Sequence, residues 1–266
     1  MFPSAADLAP GDAKSAVLDL TPFAVHRIRS IDDPWFEAAY EPLWEEFGAK
    51  NEMELRETLT ARFRLAPQMT YEMVLVQQEG RLAAVRDHTA IPAGDLTVVH
   101  LSHNLVAPEF RRVGLAGWMR AFPAALAREL APERPVVLAA EMEYDDGSDP
   151  NRAIRLRAYE KAGFSKIAPE RIDYHQPDFR APEIIDASGG PVPLPFQLLV
   201  RRVGREAERT IRGVEVRQVV EALYAMYGAQ FRVQDMAHPA LDLSAYPAAE
   251  AELPLLPPTA PVGASA

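Results

Sequence analysis

Residues 105 to 117, LVAPEFRRVGLAG, carry a short apolar run into two arginines and then into Gly114 and Gly117. An apolar strand feeding a glycine-bearing turn and then an amphipathic helix brings several backbone N–H groups and the positive end of a helix to one point. That arrangement holds an anion. Glycine at 114 and 117 lets the backbone come close to it. The letters RRVG recur at 201 to 204, but Arg205 and Glu206 follow and no apolar helix face begins there, so the second turn is expected to be a surface exit. The dinucleotide fingerprint Gly-x-Gly-x-x-Gly fails in both registers of the first turn, because Glu109 and Arg111, or Arg112, stand where glycine is required. No Gly-Lys-Ser/Thr follows for a triphosphate either. A diphosphate held along one edge of the turn is what these residues favour.

Groups able to move a proton lie on both sides of this turn. His100 and His103 precede it, and Glu141, Glu143 and Asp145 follow in a strand-like stretch whose alternation puts the three acids on one face. A histidine of ordinary pKa, about 6.5, suits a base working near neutrality. Paired histidines without a carboxylate at zinc-ligand spacing, in a chain with no cysteine, argue against a metal site.

The elements that must position these groups follow from the hydrophobic period. Residues 23 to 31 alternate as a strand. Asp33 and Pro34 then open a helix over 34 to 47, which Pro42 should kink or split. A second helix is expected over 51 to 65. Residues 71 to 80 and 81 to 91 form a hairpin turning at Glu79 and Gly80, and a third strand runs from 96 to 106. Leu115, Trp118, Met119, Phe122, Leu126 and Leu130 share one helical face, which Pro123 should break near Phe122. A strand over 135 to 144 precedes a helix capped by Asp149, opened by Pro150 and ended by Gly163. Strand-like stretches near 166 to 175 and 193 to 203 and a helix over 214 to 227 complete a mixed α/β chain around one sheet. The organisation predicted is one domain over 24 to 236, with residues 1 to 23 and the Pro/Ala-rich 237 to 266 as extended or poorly ordered flanks.

Composition narrows the function. Of 266 residues 48% are hydrophobic, ample for a core. The formal charge of −10 argues against a nucleic-acid binder, which needs a basic face, and is compatible with a cationic substrate. No apolar run is long enough to cross a bilayer, and no basic segment leads an apolar one at the N-terminus, so a cytoplasmic protein without a membrane partner is expected.

LVAPEFRRVGLA resembles the signature of the GNAT superfamily of N-acetyltransferases at Val106, Pro108, Arg111, Gly114 and Ala116, and AYEKAGF at 158 to 164 is similar to the family's second landmark. The order of elements over 24 to 203 resembles the family's too, with the helix after 213 outside its usual core. The resemblance implies an α+β type fold with a mixed, mostly antiparallel sheet, flanked by helices and splayed between the strand ending near Val106 and the one beginning near Val136. It implies acetyl-CoA as co-substrate. The amides of Arg111, Arg112, Val113, Gly114, Leu115, Ala116 and Gly117 would hold its pyrophosphate, and backbone at Asn104, Leu105 and Val106 its pantetheine arm. Asn151 resembles a cofactor-contacting asparagine, one residue further from Tyr159 than the family spacing, and Tyr159 the acid that protonates the departing thiolate. Transfer to an amine also needs a base, for which His100 and Glu141 are equal candidates. The acceptor would be a primary amine on a small molecule or peptide, met by the aromatic-rich first helix (Trp35, Phe36, Tyr40, Trp44, Phe47) and the late strands. A late strand could pair two subunits as a homodimer. The competing reading is a catalytically silent GNAT-like domain, an acyl-CoA-binding sensor or a protein-interaction module.

Overall fold

The computed structural model describes residues 2–236 and 246–261. In chain order the helices are α1 (Ala13–Ala16), α2 (Phe36–Phe47), α3 (Arg56–Phe63), α4 (Leu115–Leu130), α5 (Pro150–Lys161), α6 (Pro182–Ala187) and α7 (Gly213–Gly228). The strands are β1 (Ala24–Ile28), β2 (Thr70–Gln78), β3 (Arg81–Ala93), β4 (Leu96–Val106), β5 (Val136–Met142), β6 (Ser165–Ile167), β7 (His175–Gln176), β8 (Leu194–Pro195), β9 (Gln197–Arg202), β10 (Thr210–Arg212) and β11 (Glu252–Leu256). One sheet takes the order β1-β2-β3-β4-β5-β9-β6-β11-β10, and β7 and β8 pair apart from it. Its pairs are antiparallel except β4 with β5, as the mixed, mostly antiparallel α/β expectation requires.

Alternation along the strands sorts the core into two layers. Met73, Leu75 and Val85 meet Phe36, Ala39, Tyr40, Leu43 and Leu59 of α2 and α3. Val98, Val137, Ala139, Leu198 and Val200 meet Val216, Val219, Val220 and Leu223 of α7. The opposite face takes α4 through Leu115, Trp118, Met119 and Phe122 against Val74, Val76 and Ala84, and α5 through Leu156 against Leu138, Ala140 and Leu199. Thus α7, the helix that the resemblance leaves outside the usual core, covers the centre of the sheet.

Two features of β4 create the site. It pairs with β5 only from Thr97 to His100, opposite Val136 to Ala139, and then runs on to Val106 with β3 alone, so the parallel pair opens as a V. The β3–β4 register also shifts: Arg86 lies opposite Asn104 and His88 opposite Leu101, so β4 holds one extra residue between them. Such a bulge reverses which residues face which side. Val98 faces α7 before it, and Leu105 packs with the α2 layer after it, while Val106 packs on α4.

Several expectations are corrected. Pro42 and Pro123 both lie inside continuous helices. At Pro123 the reason is visible: Met119 carbonyl, which would have received the missing N–H, accepts instead from the buried Arg86 guanidinium at 3.0 Å. The helix expected over 51 to 65 begins only at Arg56. The flanks are also built into the structure. Residues 2 to 23 lie along α4, where Phe2 stacks on Trp118 and Leu8, Leu18, Leu20 and Phe23 pack beside Phe110. Of the expected tail, β11 enters the main sheet between β6 and β10, and residues 237–245 and 262–266 lie outside the described ones. At the second RRVG, Arg201 and Arg202 turn inward to Glu206 and to Glu208 and Glu215, which accounts for their charge structurally. No described helix is long and apolar enough to cross a membrane.

Candidate active site

The turn from Arg111 to Gly114 carries the chain from β4 into α4 through two left-handed residues, Arg112 at φ 69° and Gly114 at φ 105°. No side chain caps α4. Among the described residues the amides of residues 112 to 117 have no hydrogen-bond acceptor, although most of this turn is exposed. Six unengaged donors at a helix start fit an anionic diphosphate. One neighbour bears on that fit. The N-terminal segment crosses the flank of the turn: Lys14 Nζ donates to Arg112 carbonyl at 3.1 Å and Ser15 Oγ to Gly114 carbonyl at 2.7 Å. Asp12 is so close that a Cβ on Gly117 would lie 2.7 Å from its Oδ1, and Arg120 donates to the same oxygen at 2.7 Å. Asp12 and Ser15 take none of the six amides, so the donors remain available to a ligand, with a carboxylate beside them.

A cavity of about 270 Å³ occupies the mouth of the V. His100, Asn104, Glu141 and Tyr159 all line it, so four residues singled out in the sequence share one space. Asn104 faces it from beyond the bulge, and its Oδ1 is buried without a partner among the described residues. Leu105 and Val106 extend β4 on the unpaired side of the V, and Leu115 is buried under α4. Asn151 is not brought in. Its amide and side chain both donate to Asp149 Oδ1, at 2.8 and 2.9 Å, as part of the α5 cap. The extra residue of spacing from Tyr159 thus goes with a capping arrangement on an exposed helix start.

His100 and Glu141, weighed as rivals, are partners. His100 Nε2 lies 2.9 Å from Glu141 Oε2, with Ser102 Oγ 3.2 Å from Nδ1. Glu141 also accepts from Tyr227 Oη at 2.6 Å, Gln176 Nε2 at 3.1 Å and Tyr174 Oη. Burial would push its carboxyl up, but the hydrogen bonds from His100, Tyr174 and Tyr227 outweigh it and hold the group below the usual carboxylate range. A carboxylate so fully engaged is a poor proton acceptor and a good orienter. It fixes the Nε2–H tautomer of His100, which leaves the Nδ1 lone pair to Ser102 Oγ.

Tyr159, from α5, packs edge-on against Phe164 at 4.9 Å. Burial raises its pKa, opposed by Arg86, Arg120 and Arg155, so the phenol keeps its proton at neutral pH and can give it to a strong base. His103, on the other wall, is a cation: burial favours the neutral ring, but buried Asp87 at 2.9 Å raises its pKa to about 9. Its Nε2 donates to Glu52 carbonyl at 2.9 Å, which ties the loop before α3 to β4.

The far wall is acidic and aromatic. Glu52, Glu54 and Glu143 line it with Phe47, Phe179 and Phe196. Glu54 is paired with buried Arg62, and Glu143 with Arg155. Of the first helix's aromatic residues only Phe47 reaches the cavity, while Phe36 and Tyr40 are core. Sequence reasoning missed Ser102, Tyr174, Gln176 and Tyr227. Ser102 stands two residues from His100 on one strand, a spacing that could have flagged it. Tyr227 comes from α7, 127 residues from His100, and only the tertiary fold brings it there.

No protein-family model matches the chain, and neither does any curated protein. Among solved structures it is similar to a protein assigned to the GNAT acetyltransferase family from Bacteroides thetaiotaomicron, with 18% identity over 67% of this chain and 86% of that one and a TM-score of 0.45. It is also similar to a GNAT family acetyltransferase from Elizabethkingia anophelis with acetyl-CoA bound, with 14% identity over 68% of this chain and 99% of that one and a TM-score of 0.37. A third is N-acetylglutamate synthase from Neisseria gonorrhoeae complexed with coenzyme A and N-acetyl-glutamate, with 16% identity over 69% of this chain, 35% of that one and a TM-score of 0.40. The solved structures this chain is similar to thus include acetyltransferases of the GNAT family.

Proposed function

We propose that the chain is an acyl-CoA-dependent N-acyltransferase that uses acetyl-CoA and a primary amine of a small molecule or peptide. The observation that carries this reading is the V between β4 and β5. It gathers an oriented histidine, a protonated tyrosine and an unpartnered asparagine oxygen into one cavity, beside a turn whose six amides are free. Acetyl-CoA, when bound, supplies an acyl group activated as a thioester. The amides of residues 112 to 117 would take the diphosphate, and the open edge of β4 from Asn104 to Val106 offers backbone pairing to an extended arm. An amine is almost wholly protonated at neutral pH, with a free lysine-type pKa near ~10.4, so His100 receives its proton while Glu141 holds the ring in place. Tyr159 gives its proton to the departing thiolate. Glu52 at the far wall favours a cationic acceptor.

The second reading, an acyl-CoA-binding domain without turnover, is favoured by Asp12 and Ser15 lying against the first turn of α4. One experiment separates the two: calorimetric titration with acetyl-CoA and CoA, followed by thiol release in the presence of a panel of amines. Binding with amine-dependent release supports the transferase, and binding without release under every amine supports the silent domain. No binding of either nucleotide refutes both.

A further inference from the structure

The cavity holds a hydroxyl that the reading above leaves without a task. Ser102 stands at the β4 bulge, lines the cavity and lies 3.2 Å from His100 Nδ1. The direction of that hydrogen bond can be worked out. Glu141 is held as a carboxylate by four surrounding donors and can only accept, so at 2.9 Å it takes the Nε2–H of His100. Tyr227 Oη spends its proton on Glu141 at 2.6 Å and is only 3.4 Å from Nε2, so it does not compete for the ring. The lone pair of the neutral ring is therefore on Nδ1, and the Ser102 hydroxyl donates to it.

His100 is nearly buried, with 4% of its side chain exposed, whereas Ser102 is partly open. The titratable groups packed around the ring are Glu141 of β5, Tyr174 before β7 and Tyr227 of α7, and all three engage the Nε2 side. On the Nδ1 side the hydrogen-bond partner is Ser102 Oγ, which lines the same cavity as the ring.

We propose that Ser102 is the residue that touches the acceptor amine and relays its proton to His100. This rests on the transferase reading. The step balances within the chain. As the amine N–H bond breaks, Ser102 Oγ takes that proton and passes its own hydroxyl proton to His100 Nδ1. Ser102 ends as it began, and His100 becomes an imidazolium whose charge Glu141 offsets. The hydroxyl forms no covalent bond to the acyl group.

The test uses the full chain with Ser102→Ala, Ser102→Thr and His100→Ala. Histidine ¹⁵N NMR without substrates is the first readout. The parent should show His100 protonated at Nε2 with Nδ1 as a hydrogen-bonded acceptor, and Ser102→Ala should move the Nδ1 signal toward that of a free lone pair. The second readout is kcat/KM for amine-dependent thiol release against pH. Ser102→Ala should lose roughly 10²-fold, the low end of what a positioned proton-transfer group contributes, and Ser102→Thr should restore most of it. His100→Ala should abolish the acid limb of the profile. The relay is overturned if Nδ1 carries the proton in the neutral ring, or if Ser102→Ala matches the parent at every pH. It is also overturned if mass spectrometry finds an acyl group on Ser102, which would make it a nucleophile. A parent that binds acetyl-CoA but releases no thiol with any amine overturns the transferase reading and the relay with it. A parent that turns over, with His100→Ala impaired and Ser102→Ala silent, overturns the relay alone.

Discussion

Raising the pH from 6 to 9.5 should weaken the fold through His103, by an amount that can be worked out. The ring lies 2.9 Å from Asp87, is nearly fully buried, and has its pKa raised to about 9 in the folded chain. An unperturbed histidine titrates near ~6.5, so the shift is about 2.5 units, or about 3.5 kcal/mol at ~1.4 kcal/mol per unit, of which about 3 kcal/mol falls within this pH window. The sign follows from the direction. A base whose pKa is raised by folding contributes its full stabilisation below about 6.5 and loses it as pH rises through about 9. The lowered pKa of Asp87 reports the same contact from the other side and is not a further gain. Deprotonation has a local effect too: a neutral ring has one N–H, so it must give up either Asp87 or the Glu52 carbonyl. Urea unfolding of the parent and of His103→Gln, measured at half-unit intervals, isolates this contribution. The parent should lose about 3 kcal/mol more than the variant across the window, and amide exchange around Glu52 should quicken in the parent alone. Parallel stability curves, or a His103 titration by NMR at or below 6.5, would refute the assignment.

Three further outcomes are expected. Tyr159→Phe should lower amine-dependent thiol release by about 10²-fold while acetyl-CoA affinity by calorimetry stays close to the parent's; an unchanged rate removes the phenol from the chemistry. Asp12→Asn takes a carboxylate away from the first turn of α4 and should tighten acetyl-CoA binding by about two- to fivefold, in keeping with the ~0.3–1 kcal/mol that charges at helix ends contribute. Unaltered or weaker binding there would show that the flank of the turn is not the diphosphate side. Glu54→Gln strips the charge partner from Arg62, which is fully buried, and should cost about 3–5 kcal/mol in urea unfolding; a loss under 1 kcal/mol would mean that Gln230 alone satisfies the guanidinium.

What the sequence disclosed depends on how local its cause is. The hairpin at Glu79 and Gly80, the cap of α5 by Asp149 and the strand–turn–helix around Gly114 are set by neighbours a few residues apart, and all are present. Helix continuity through Pro123 was not legible, because its cause is Arg86 on another strand. The placing of the flanks was equally hidden. A Pro- and Ala-rich composition carries no sign that Arg201 would hold the carbonyls of Asp7 and Leu8, or that residues 252 to 256 would complete a sheet. In the site, residue types pointed to His100 and Glu141, and the resemblance pointed to Asn104 and Tyr159. That His100 and Glu141 form a pair was beyond reach, because it needs the register of β4 on β5. Asn151 was chosen by its likeness to a pattern, and it went instead to the nearer demand of its own helix cap.

The extra residue in β4 means that part of this site is written in chain length rather than in residue identity. Upstream of it, His100 falls on the face shared with α7; downstream, His103 reaches the loop at Glu52, three positions on and not two. Removing Ser102 would take out the extra residue, set Leu101 to Asn104 in unbroken register against His88 to Arg86, and leave His103 and Leu105 on the face they already hold, with no letter elsewhere altered. A screen limited to substitutions would pass over this control. A scan of one-residue deletions along β4 should therefore find the smallest loss of stability at 102, where the bulge absorbs the missing residue, and larger losses where the strand pairs regularly.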